Sequence, residues 1–148
     1  MLQVDGNVMQ FWAVDSSTVF VIGNDLNLWR ETGPWGNVEF TIEFRNAVDA
    51  NANDIQPLDE NTVFVAGHDG NLWLETGPFW SVSQTIETRQ FVDTNVLGFG
   101  VLYPSLEIYL VDGDQNLWFE VSPYWAPNRQ IVDANVNSCY PVYTFPSF

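Results

Sequence analysis

Lysine is absent from this chain, and its only strongly basic residues are Arg30, Arg45, Arg89 and Arg129. Against them stand 19 acidic side chains, for a formal net charge of −15 over 148 residues. Such a surface repels phosphate backbones and anionic headgroups, so nucleic acid and anionic lipid are poor partners. Cysteine is nearly missing too: Cys139 stands alone, which rules out an internal disulfide framework. No run of about 18 apolar residues occurs, so no membrane insertion is expected. The opening residues "MLQVDGNVMQFW" lack a basic segment followed by a clean apolar one. The expectation is a cytoplasmic protein, or one secreted by a leaderless route.

Catalytic signatures are also missing. His68 is the only histidine, and no G-x-S-x-G, P-loop, H-E-x-x-H or dinucleotide fingerprint is present. Asp112-Gly113-Asp114-Gln115-Asn116 carries part of a calcium-loop pattern, without a closing bidentate acid at the expected distance. The chain therefore reads as a non-enzyme with no metal and no cofactor. Its many carboxylates leave a glycosidase pair as the least favoured alternative.

What is present in quantity is aromatic side chains, 16% of the residues, and they recur in register. "GNDLNLWRETGPWG", "GHDGNLWLETGPFW" and "DGDQNLWFEVSPYW" begin at Gly23, Gly67 and Asp112. Trp29, Trp73 and Trp118 are separated by 44 and 45 residues. A second series, V-D-x-N, starts at Val4, Val48, Val92 and Val132, and Arg45, Arg89 and Arg129 each stand just before a V-D pair. Internal repetition at this period indicates modules that stack because one alone cannot bury its apolar face. We expect one repeat domain over 1–148, with repeats at about 4–47, 48–91 and 92–131 and an extra C-terminal strand at 132–148.

The period fills with strands. "TVFVIG", "TVFVAG" and "EIYLVDG" alternate β-branched and aromatic residues. Turn formers follow, then "NLWRET", "NLWLET" and "NLWFEV", in which Leu28 and Arg30 face one way and Trp29 and Glu31 the other. "NVMQFWAVD", "NANDIQPLD" and "NVLGFGVLY" supply weaker first strands, and "FTIEFRNAV", "QTIETRQFV" and "NRQIV" a fourth. No segment holds a helical period over 11 residues. The fold class is all-β, with three tandem four-stranded repeats of about 44 residues. They suit β-propeller blades, three per chain, closing as a six-bladed ring by dimerisation. A monomeric β-trefoil or β-prism with pseudo-threefold symmetry is the alternative.

"VFVAGHDGNLWLE" resembles the blade motif of tectonin-type and related bacterial and fungal lectin β-propellers, in which V-F-V-x-G precedes a D-G-x-L-W hairpin. A fainter similarity links Asp69, Asn71 and Trp73 to the D-x-N-x-V-x-Y signature of mannose-binding bulb lectins, β-prisms. Here Glu75 stands where that signature has tyrosine, and Gly67 where glutamine precedes it. Both resemblances imply carbohydrate binding.

Candidate ligand-binding residues follow from recurrence. Trp35, Trp80 and Trp125 lie beyond the Gly/Ser-Pro break, in loops, where aromatics on a rigid scaffold offer a flat apolar surface to a sugar. Trp29, Trp73 and Trp118 lie within strands, where packing is the plainer explanation. Glu31, Glu75 and Glu120 share the tryptophan face. Arg45, Arg89 and Arg129 either pair with these acids or join them in holding hydroxyls. Asn27, Asn71 and Asn116 sit at hairpin tips with Asp25, Asp69 and Asp114, as turn formers or polar contacts. The functional expectation is a lectin for multivalent glycans, in a homo-oligomer such as a dimer. The alternative is a self-assembling module whose aromatics only pack.

Overall fold

The computed structural model describes residues 3–124 and 129–137. Among these residues, twelve strands form three four-stranded antiparallel sheets, each a simple meander. The first contains β1 (Val8–Asp15), β2 (Thr18–Gly23), β3 (Leu28–Thr32) and β4 (Asn46–Asp49). The second contains β5 (Ala52–Asp59), β6 (Thr62–Gly67), β7 (Leu72–Thr76) and β8 (Gln90–Asp93). The third contains β9 (Val96–Leu102), β10 (Glu107–Asp112), β11 (Leu117–Glu120) and β12 (Arg129–Asp133). The all-β class and the threefold repetition are thus present in the structure. No helix among the described residues is long and apolar enough to cross a membrane.

The expected fourth strands need correction. "FTIEFRNAV" and "QTIETRQFV" divide into a one-sided short helix and a short strand. Helix α1 spans Val38–Phe44 and α2 spans Val82–Thr88. Asn37 caps α1 by accepting from the Phe40 amide at 2.8 Å, and Ser81 caps α2 by accepting from the Gln84 amide at 3.2 Å. Thr41 and Thr85 donate their hydroxyls back to the carbonyls of Asn37 and Ser81. Seven residues are too few for a visible 3.6-residue period, and their β-branched composition imitates a strand. The caps decide the outcome.

The V-D-x-N series marks corners between sheets rather than the starts of strands. Val48-Asp49 and Val92-Asp93 end β4 and β8. The asparagine that follows takes a left-handed backbone at Asn7, Asn51, Asn95 and Asn135, with φ of 58°, 56°, 58° and 61°. Asparagine tolerates that region better than most residues, which explains its place in the motif. Each corner is tied to a hairpin tip: Asn7, Asn51 and Asn95 carbonyls accept from the amides of Asn24, His68 and Gly113. The tips return the bond, with the Leu26, Gly70 and Gln115 carbonyls accepting from Ala52, Val96 and Val136. The fourth corner therefore repeats the first three as far as Val136. The rest of the expected C-terminal strand lies outside the described residues.

Two compact units are distinguished. One comprises the residues up to His68 together with Leu74–Gln90, and the other Asp69–Trp73 together with the residues from Phe91 on. In the first, the face of sheet one made by Phe20, Ile22, Leu28 and Val48 packs on Ala52, Ile55, Val63, Val65 and Phe79 of sheet two and its following loop. All nine are at most 2% exposed. The second unit buries Val92, Val101, Ile108, Leu110 and Val111 completely. At roughly 2 kcal/mol per fully buried aliphatic side chain, this apolar contact is the main source of stability in each unit.

Candidate functional site

Strand alternation places Trp29 and Glu31 on one face of β3, as their spacing predicts, and the same holds for their repeats. Glu31, Glu75 and Glu120 are each fully buried. None of their carboxyl oxygens accepts a hydrogen bond. A buried carboxylate without donors is costly, so the neutral acid is favoured. Burial first, and the adjacent Asp5 second, raise the Glu31 pKa to about 8 against the opposing pull of Arg45. Burial and Asp49 raise Glu75 to about 10, opposed by Arg89. Burial and Asp93 raise Glu120 to about 9, opposed by Arg129. With values raised this far, the three favour the protonated form at neutral pH, each beside an aspartate.

The arginines complete three triads. Arg45 lies 3.6 Å from Asp5 and 3.8 Å from Glu31. Arg89 lies 3.2 Å from Asp49 and 3.7 Å from Glu75. Arg129 lies 3.1 Å from Asp93. Glu31 and Glu75 thus lie within ion-pair distance of Arg45 and Arg89, but in both the aspartate makes the shorter contact. Those aspartates were not among the candidate residues. Each arginine stands just before the V-D pair of the next repeat, yet it bonds the aspartate that opens its own repeat some 40 residues earlier, as Arg89 does with Asp49. Only the packing of successive sheets reveals that pairing.

Two of the strand tryptophans join the same groups. The Arg45 guanidinium stacks 3.7 Å from the Trp29 ring centre, and that of Arg129 4.0 Å from Trp118. Trp73 meets Phe91 edge-on at 5.2 Å. Trp118 also donates its indole N–H to Asp112 at 2.7 Å. Protonated Glu, Asp carboxylate, Arg and Trp thus form a repeated structural element, engaged on several sides.

The hairpin-tip residues are likewise engaged. Asp25 and Asp69 each accept from the backbone and side-chain amides of Asn27 and Asn71. Asn71 also accepts from the Thr94 hydroxyl at 2.8 Å. In the third tip Asp112, not Asp114, accepts from the amides of Asp114 and Asn116. Burial pushes the Asp112 pKa up, but these bonds and the one from Trp118 outweigh it and lower it. No group of three or more acidic, histidine or cysteine side chains among the described residues is placed to hold a metal ion.

The loop aromatics fall in a different register from the one expected. Counting from the Gly/Ser-Pro pair, Trp35 corresponds to Phe79 and Tyr124, not to Trp80 and Trp125. Phe79 is 1% exposed and meets Phe20 edge-on at 6.0 Å. Tyr124 is 6% exposed and donates its hydroxyl to the Leu106 carbonyl at 2.6 Å. Trp35 is only half-buried, donates its N–H to the Ser16 carbonyl at 3.3 Å, and lines a groove of about 620 Å³ on sheet one. Trp80 is 73% exposed between buried Phe79 and the α2 cap at Ser81. Trp125 lies outside the described residues.

Among the described residues, features open to a ligand include the Trp80 ring and the groove lined by Phe11, Val19 and Val21 together with Asp5 and Glu31.

No family model matches the chain, and no curated protein matches it. Among solved structures it is similar to one described by the words "The de novo evolutionary emergence of a symmetrical protein is shaped by folding constraints", with a TM-score of 0.57 and 9% identity. The match covers 88% of this chain and 59% of that one, so this chain spans somewhat over half of the neighbour's length. At that identity the likeness concerns the fold alone.

Proposed function

We propose that the protein is a carbohydrate-binding lectin without catalysis, built of β-propeller blades, three per chain, that close as a six-bladed ring in a dimer. Face-to-face stacking of four-stranded meanders supports the propeller over a trefoil. The observation that carries the binding reading is Trp80, an indole 73% exposed yet mounted between the buried ring of Phe79 and the capped start of α2. The held neighbours fix where the chain presents the indole, a flat apolar surface that can stack on the apolar face of a sugar. Multivalent glycans are the proposed partners, since a dimer presents each site at least twice. A single cysteine suits a reducing compartment.

A glycan array with the wild-type protein and Trp80→Ala tests this. Binding that disappears in the variant, with an unchanged circular dichroism spectrum, supports the lectin. Binding of no glycan by the wild type removes it. The second reading, a self-assembling module without ligand, is favoured by the apolar groove on sheet one. It would bring that groove into use without any sugar.

A further inference from the structure

We infer that the groove on sheet one is the socket for the third sheet of a second copy of this chain, with that copy's Asp133 taking the place of Asp5 at Arg45. This rests on the ring reading above and specifies the contact it needs.

The argument starts from equivalent positions 44 residues apart. In sheet two, Ala52, Ile55, Val63, Val65 and Phe79 are buried because sheet one lies on them. Their counterparts in sheet one are Val8, Phe11, Val19, Val21 and Trp35, and all five line the groove. Phe11 is 66% exposed where Ile55 is 2%, and Val8 is 38% exposed where Ala52 is 0%. The groove is therefore the same surface as a formed sheet–sheet interface, with Asp5 already at Arg45 but with no covering sheet among the described residues. Leaving a phenylalanine and a valine wet forfeits about 2 kcal/mol or more of transfer free energy per side chain. A sheet of this repeat has the shape that fills it.

The complementary surface is on β12. Within the first unit, the covering sheet presents Val48 and Asp49, which are 0% and 4% exposed. Helix α2 packs on the β4 strand that carries them, and Arg89 bonds Asp49. The residues matching Val48 and Asp49 in sheet three are Val132, 53% exposed, and Asp133, also exposed. Among the described residues, no arginine lies within ion-pair distance of Asp133. On the socket side, the elements matching α2 and Arg89 are α1 and Arg45. Helix α1 exposes Phe40, Ile42 and Phe44 at 40%, 45% and 56%. Apolar groove, apolar helix and arginine on one surface thus answer valine and aspartate on the other. The contact is heterologous, so a pair of chains uses it twice or a longer array repeats it.

Light scattering on the wild-type chain at micromolar concentration is the first measurement, followed by Phe11→Glu and Val132→Glu separately. The wild type is expected above monomer mass, and each variant at monomer mass with its β-sheet circular dichroism retained. Mixing the two variants is expected to restore a two-chain species, because one intact socket then meets one intact β12. A monomeric wild type overturns the inference, as it would if residues 138–148 of the same chain covered the groove. Variants that remain associated, or variants that fail to complement, overturn it also. An array larger than two chains that still complements keeps this contact and removes the six-bladed ring. A complementing dimer that binds no sugar keeps this contact and removes the lectin.

Discussion

The Arg89 guanidinium stands 3.2 Å from the Asp49 carboxylate, and the two residues belong to different sheets. Asp49 ends β4 of sheet one, and Arg89 leads from α2 into β8 of sheet two. Beneath them lies Glu75, fully buried and 3.7 Å from the same guanidinium. One cation serves two acids, and the charge balances only if one acid keeps its proton. Desolvation falls hardest on the glutamate, so the glutamate keeps it.

That proton makes stability depend on pH in an unusual direction. In the unfolded chain the three glutamates titrate near the ordinary value of 4.5, whereas folded Glu31, Glu75 and Glu120 hold their protons to about 8, 10 and 9. Between these limits the folded state binds more protons than the unfolded one, so rising pH favours unfolding. The contribution is complete below about pH 4.5 and is lost progressively as pH rises toward and through the folded values. Thermal melts should show Tm falling between pH 6 and pH 10. Replacing all three by Gln should flatten that fall. A wild-type Tm that is level or climbs over this range contradicts protonated glutamates.

Removing the aspartate tests the latch between sheets. Asp49→Ala leaves Arg89 beside a protonated Glu75 with no carboxylate to neutralise it. Breaking one partner of a buried pair costs about 3 kcal/mol. Urea unfolding should register a loss of that size, and the alkaline fall in Tm should become smaller, because Glu75 without Asp49 is drawn down toward its ordinary value by Arg89. A loss below about 1 kcal/mol would mean that the pair is merely superficial.

Phe79 and Trp80 are adjacent and should behave oppositely. Phe79→Ala opens a cavity in the interface between sheets one and two and should cost about 3 to 5 kcal/mol. Trp80→Ala removes an exposed ring and should change stability by no more than about 0.5 kcal/mol. Chemical denaturation of the two variants makes the comparison. Equal losses would show that Trp80 is a packing residue and would remove it from the candidate site.

Much of this fold was legible from recurrence alone. Residues 44 apart hold like places along a strand, so the copies of T-V-F-V, its counterpart E-I-Y-L and three of N-L-W yielded the strands, the hairpins and the all-β class. The seven-residue helices were not legible, because their β-branched residues resemble strand and their evidence is a single capping side chain each, Asn37 and Ser81. The candidate site was legible only in part. Repetition identified Glu31, Glu75, Glu120 and the three arginines as a set, but it could not distinguish a ligand site from a latch.

What the sequence determined by itself is the module: alternation sets which residues share a face, and asparagine sets where each corner turns. What tertiary structure decided is the pairing of charges and the exposure of rings. Arg89 bonds an aspartate 40 residues behind it because sheets stack face to face, a contact invisible to local spacing. Phe11 and Ile55 hold equivalent positions in the repeat, yet one is wet and the other dry. Burial depends on which sheet lies next door, and only the packed chain specifies that neighbour.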